Sequence, residues 1–130
     1  MIGLDSCAII DFYRGDLNIK NLIESCEEIL VVNNICYLEI INGIDYENSK
    51  HKTEEKYYDY FFESLKNLNL DIKSCKKSSE ILWDQKKQGK IIEVFDCVIA
   101  GIYLSNGVKK IITRNKKHFE NIKDLEIVSY

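Results

Sequence analysis

Glu28-Ile29-Leu30-Val31-Val32-Asn33 is the stretch on which the fold turns. Its centre, Ile29 to Val32, is a short uninterrupted apolar run rich in β-branched residues and bounded by polar ones. A strand buried on both faces reads this way, because a parallel sheet covered by helices leaves neither face wet. Working outward, Met1 to Leu4 is a short apolar start ending at Asp5. Leu70 to Ile72, Lys110 to Thr113 and Glu126 to Val128 read as further strands. Helical patterns lie between them. Ser6 caps a short buried helix that stops near Gly15, and Asp16 caps a second with Leu17, Ile19, Leu22 and Ile23 on one side. Asn33 or Asn34 caps a third through Leu38 and Ile41 to Asn42. Thr53 to Leu68, Ser74 to Lys87 and Phe95 to Leu104 complete the helices. Strands alternating with helices predict an α/β fold: a central parallel β-sheet flanked by α-helices on both faces. Ligands in such folds gather at the carboxyl ends of the strands.

The chain has 130 residues, enough for one core and too few for two, so 1–130 is read as a single domain. With 45% hydrophobic and 30% charged residues, disorder is excluded as the dominant state. No stretch reaches the ~18 apolar residues of a membrane span, and Asp5 stands where a signal peptide needs basic residues. The expectation is a soluble cytoplasmic protein with no membrane partner. Cys7, Cys26, Cys36, Cys75 and Cys97 are odd in number and form no C-x-x-C pair, so they read as reduced, mostly buried thiols. His51 and His118 are too far apart to build a zinc site with them. Net charge is −3, which argues against a protein that coats nucleic acid generally. The distribution is lopsided: residues 1–65 hold thirteen acidic and five basic residues, residues 66–130 eight and thirteen. The basic half suits a polyanion, although lysine-rich helix faces are often merely solvated.

Three carboxylates fall where the core should be. Asp5 directly follows the first strand. Glu39 lies inside Ile35-Cys36-Tyr37-Leu38-Glu39-Ile40-Ile41, and Asp96 inside Val94-Phe95-Asp96-Cys97-Val98-Ile99-Ala100. A carboxylate in apolar surroundings needs a partner, and Arg14 is the only arginine before Arg114. If the three converge, a divalent cation relieves their repulsion, since Mg²⁺ and Mn²⁺ take carboxylate oxygen and keep water positions open. Each has a plainer role available: a helix cap for Asp5 or Asp96, a backbone hydrogen bond for Glu39. All three plain roles holding at once is the weaker account.

A second cluster, Thr113-Arg114-Asn115-Lys116-Lys117-His118-Phe119, follows a predicted strand. Thr113 and Asn115 can position a water or a metal there. Arg114, Lys116 and Lys117 bring positive charge suited to a phosphate backbone, unless the turn is simply solvated.

These motifs resemble the PIN-domain family, and within it the VapC-type toxin ribonucleases. The likeness rests on Ile2-Gly3-Leu4-Asp5-Ser6, on Leu38-Glu39 with Asn42-Gly43, on Asp96-Cys97-Val98-Ile99-Ala100-Gly101, and on Ile112-Thr113-Arg114-Asn115 followed by His118-Phe119. Asp5, Glu39, Asp96 and Asn115 stand at intervals of 34, 57 and 19 residues, in the family's order. The resemblance implies a PIN-like fold and a metal site of Asp5, Glu39 and Asp96, loaded with Mg²⁺ or Mn²⁺. It implies an RNA substrate, a homodimer and a cognate antitoxin protein. Asn115 falls where many members carry a fourth acidic residue, and His118 where the toxin subgroup carries Asp.

The function read from these residues is a metal-dependent endoribonuclease acting as a toxin. Asp5, Glu39, Asp96 and Asn115 would be catalytic, and Thr113, Arg114, Lys116 and Lys117 would bind substrate. A degenerate PIN-like module that binds RNA or protein without cutting is the rival, because of His118. A phosphatase of another doubly wound fold wants a D-x-D motif, which Asp5-Ser6-Cys7 lacks. Finally, Tyr57, Tyr58, Tyr60, Phe61, Phe62, Leu65 and Leu68 offer more apolar surface than one helix face buries. They are expected at a dimer contact, unless that helix is buried on two sides.

Overall fold

Ile2, Gly3 and Leu4 form strand β1 (Ile2–Leu4), and all three are buried. Successive strand residues point to opposite faces, so β1 is covered above and below. The computed structural model describes residues 1–90 and 93–130. After β1 come α1 (Ser6–Tyr13), α2 (Leu17–Ser25), β2 (Leu30–Asn33), α3 (Asn34–Asn42), α4 (Ser49–Ser64), β3 (Lys66–Leu68) and α5 (Ile72–Lys87). The chain continues with α6 (Val94–Ser105), β4 (Lys110–Ile112), α7 (Lys116–Phe119) and β5 (Glu126–Val128). The sheet order is β3-β2-β1-β4-β5, and every neighbouring pair is parallel. Gly3 is in register with Val31 on one side and Ile111 on the other. The connections run one way from β1 to β3 and then cross to β4, so the order switches between β1 and β4. That switch point is where α/β sheets open a crevice at their carboxyl ends.

Two glycines set how closely α6 sits. A Cβ at Gly3 would lie 2.5 Å from the ring of Tyr103, a fully buried residue of α6. The Tyr103 hydroxyl donates to the Leu4 carbonyl at 2.6 Å, so the buried phenol is satisfied by the backbone of β1 itself. A Cβ at Gly101 would fall on Ser78 Oγ and come within 2.9 Å of Ser78 Cα, so α5 and α6 touch backbone to backbone there.

Several boundaries differ from those expected. The strand expected at Leu70–Ile72 is β3, at Lys66–Leu68. It is an edge strand in which only Leu68 is buried, so it leaves no apolar run to read. Ile72 instead opens α5, because Asp71 and Ser74 form a reciprocal capping box. Asp5, not Ser6, caps α1, accepting from the Ser6 N–H at 2.8 Å. Asn33 caps α3 and Asp16 caps α2. The aromatic segment is largely interior. Tyr58 and Phe62 are buried. Tyr57 packs on Tyr13 of α1 at 4.6 Å between centroids, and Phe62 on Tyr37 of α3 at 5.1 Å. Two helices share α4's aromatic face, and of its aromatics only Tyr60 stands fully out. All five cysteines are free thiols, and Cys7, Cys36 and Cys97 are buried. Among the described residues no helix is long and apolar enough to cross a membrane.

Candidate active site

Asp5 ends β1 and begins α1, so the strand that fixes its position is the best buried of the sheet and the helix that follows is tied to it. Both its oxygens are committed. Oδ1 accepts from the backbone N–H of Ser6, and Oδ2 accepts from Thr113 Oγ1 at 2.7 Å, with Cys7 Sγ at 3.1 Å. Thr113 lies just past β4, the neighbour of β1 across the switch point, so the sheet itself carries this contact.

Glu39 reaches the same place from the middle of α3. Ser6 Oγ donates to its Oε1 at 3.1 Å and so links it to the Asp5 turn. One ligand atom each from Asp5, Glu39 and Cys36 lies within 4.8 Å of the others. Burial pushes the Glu39 carboxyl up. The Ser6 hydrogen bond opposes this, and the charges of Asp5 and Asp96 add to it. Cys36 stays a thiol. It is fully buried, and burial, Asp5 and Glu39 all push it well above its ordinary value, while its Sγ donates to the Leu4 carbonyl.

Asp96 sits in the first turn of α6, buried, and burial raises its carboxyl to about 6. His118 opposes that rise, and Asp5 and Glu93 reinforce it. Its Oδ2 is 2.9 Å from His118 Nδ1. Asp96 therefore does have one candidate cation partner, 22 residues away in sequence, which the sequence reading did not anticipate. Asp96 forms no group within 4.8 Å together with Asp5 and Glu39, although the charge of Asp96 helps to raise the Glu39 carboxyl and that of Asp5 helps to raise both. Neither Asp96 nor Glu39 caps a helix, and Asp5 does.

The basic cluster divides. Thr113, expected to meet substrate, is fully buried; its hydroxyl holds Asp5 and accepts the Asn115 N–H at 2.9 Å. It positions the other two residues and touches nothing outside. Arg114 is likewise engaged: its guanidinium pairs with buried Asp11 at 2.9 Å, and Tyr130 donates to the same carboxylate at 2.7 Å. Asn115 heads α7 with no capping hydrogen bond from its side chain, and Lys116 and Lys117 are exposed beside it. Arg114, Asn115, Lys116, Lys117, His118 and Glu120 line one shallow depression. Sequence reasoning missed Ser6, which joins Asp5 to Glu39, and Glu93, whose charge acts on Glu39 and Asp96. The Glu93-x-x-Asp96 spacing, one helical turn, was the available signal.

The donor set suits a hard divalent cation. Three carboxylates share one neighbourhood, two are raised by burial and mutual charge, and among the described residues no lysine or arginine pairs with any of them. Carboxylate oxygens without a cysteine thiolate or a second imidazole match Mg²⁺ or Mn²⁺ chemistry.

Fold and site together define a PIN domain: the family matches residues 2–125, and the chain belongs to it. The chain is 32% identical over 100 residues to Ribonuclease VapC3 of Methanocaldococcus jannaschii, covering 77% of this chain and 95% of that one. Its structure matches VapBC-1 from nontypeable Haemophilus influenzae with a TM-score of 0.83 and 26% identity, over 99% of this chain and 98% of that one. It also matches VapBC2 from Rickettsia felis, solved bound to a promoter DNA fragment, with a TM-score of 0.86 at 19% identity. That match covers 100% of this chain and 99% of the other.

Proposed function

We propose that the chain is a divalent-metal-dependent endoribonuclease, the toxin of a type II toxin-antitoxin pair. The observation that carries this is the gathering of buried Asp5, half-buried Glu39 and buried Asp96 at the sheet's switch point, with no lysine or arginine among the described residues paired to them. A bound Mg²⁺ or Mn²⁺ supplies an activated water and stabilises charge on the phosphoryl oxygens. Asp5 and Asp96 hold the ion, and Glu39 ligates it or orients the water. Thr113 keeps Asp5 in place, Asn115 holds water or substrate, and Lys116 and Lys117 contact the RNA backbone while Arg114, pinned by Asp11, fixes their loop. Single-stranded or looped RNA is the substrate, since its strand bends into a carboxylate pocket.

The neighbours named as VapBC support a cognate antitoxin partner. A homodimer fits the exposed apolar residues Leu70, Ile72 and Val94 better than the buried aromatics of α4. One observation favours a module that binds without cutting: His118 occupies an Asp96 oxygen that an ion would need. Cleavage of a labelled RNA decides between the two. Wild type with Mn²⁺ should cut, while Asp5→Asn and Asp96→Asn should not. An inert wild type, or variants as active as wild type, would refute the nuclease reading.

A further inference from the structure

The outer face of α5 takes no part in the acidic site, yet it carries the chain's only tryptophan. Trp83 is 59% exposed, and Lys86 Nζ stands 5.3 Å from its ring centroid. An indole this exposed offers a broad flat face on which a planar ligand can stack. Helical spacing sets its neighbours. Lys87 and Lys86 follow at four and three residues and Lys76 precedes by seven, so all three project near the same stripe as Trp83. Among the described residues none of these lysines is in an ion pair. Glu80, on the same face, is taken by Lys77 at 3.3 Å, and Asp84 lies to the flank.

We propose that Trp83 is a base-stacking platform for the RNA substrate, with Lys76, Lys86 and Lys87 holding the phosphates on either side of the stacked base. This rests on the RNA-cleaving reading of the acidic site. Charge complementarity chooses the occupant: an aromatic face ringed by uncancelled ammonium groups matches a base between phosphates, whereas protein contacts are depleted in lysine. Position agrees. α5 and α6 cross where Gly101 meets Ser78, and Leu82 shares an apolar groove with Val94 and Val98, so the two helices run antiparallel. Trp83 lies five residues beyond the crossing on α5, and Asp96 five residues before it on α6. Each is roughly 7.5 Å along its axis in the same direction, which puts platform and carboxylate at one level of the helix pair.

The sole tryptophan makes the test direct. The full chain is titrated in EDTA, so that nothing is cut, with an unstructured adenine-rich RNA oligonucleotide while intrinsic fluorescence is read. The expected result is saturable quenching. Trp83→Ala should weaken binding roughly tenfold, Trp83→Phe should retain most of it, and Lys86→Ala with Lys87→Ala should shallow the salt slope by roughly 1.4. Binding without quenching, an unchanged affinity in Trp83→Ala, or no RNA binding at all overturns the proposal. So does a Trp83→Ala variant that dissociates in sedimentation with its RNA affinity intact, which assigns the face to a protein contact. The two readings fail separately. Quenching with no cleavage in Mn²⁺ sinks the nuclease and leaves the platform, and normal cleavage by Trp83→Ala with unaltered affinity does the reverse.

Discussion

Asp96→Asn removes one buried charge at nearly constant size, and its effect on stability should depend on pH and metal in opposite senses. Burial holds the Asp96 carboxyl at about 6 in the fold, against an ordinary 3.8. Because folding raises this carboxyl, its neutral form favours the folded state. That contribution is complete below about pH 4 and is lost as pH rises to about 6. At about 1.36 kcal/mol per pH unit, the loss is at most about 3 kcal/mol, and solvent screening of a carboxyl still partly open to water reduces it. Without metal at pH 7.5 the asparagine variant should therefore be more stable by up to that amount. At about 2.1 cal/mol/K per residue, this is a Tm higher by about 10 °C in a chain this long. The gap should close toward pH 4. Divalent metal at about a thousand times its Kd should reverse the order, because it adds about 4.1 kcal/mol to wild type and little to a variant missing a ligand. Urea unfolding in EDTA and in Mg²⁺, at several pH values, reads all three effects. An asparagine variant less stable than wild type at pH 7.5 in EDTA would refute the reasoning, because it would mean that His118 alone satisfies the carboxylate.

Asp5→Asn should abolish cleavage yet cost under about 1 kcal/mol of stability, since asparagine caps a helix as well as aspartate does; Asp5→Ala should cost about 1 kcal/mol more by urea denaturation. Replacing Lys116 and Lys117 together with alanine should weaken RNA binding and reduce the salt slope by about 1.4, leaving turnover of bound RNA nearly unchanged in single-turnover kinetics. Gly101→Ala should destabilise by about 2–3 kcal/mol, because the new methyl meets Ser78 backbone that no rotamer change can move.

The element order and the parallel sheet were legible because the buried parts of β1, β2 and β4 (Ile2–Leu4, Val31 and Val32, Ile111 and Ile112) are apolar on both faces. β3 was misplaced for the converse reason: its Lys66 and Asn67 face solvent at the sheet edge, while Leu70 and Ile72 look like a strand but are exposed. Asp5, Glu39 and Asp96 were readable as anomalies, being charges in apolar text. What each touches was not. His118 meets Asp96, and Arg114 meets Asp11, only through tertiary contacts that leave no local pattern. The aromatics of α4 were read outward because a sequence does not say which neighbours a helix has. Phe12 and Tyr13 of α1 and Tyr37 of α3 supply the second wall.

Anomalous scattering from crystals of the wild-type protein soaked in Mn²⁺ tests the metal-centred account most directly. The account predicts a peak ligated by Asp5 and Asp96 oxygens, with Glu39 bound directly or through one water and His118 drawn off Asp96. A map with no ion among these carboxylates at saturating Mn²⁺, while Asp96 still holds His118, would contradict it.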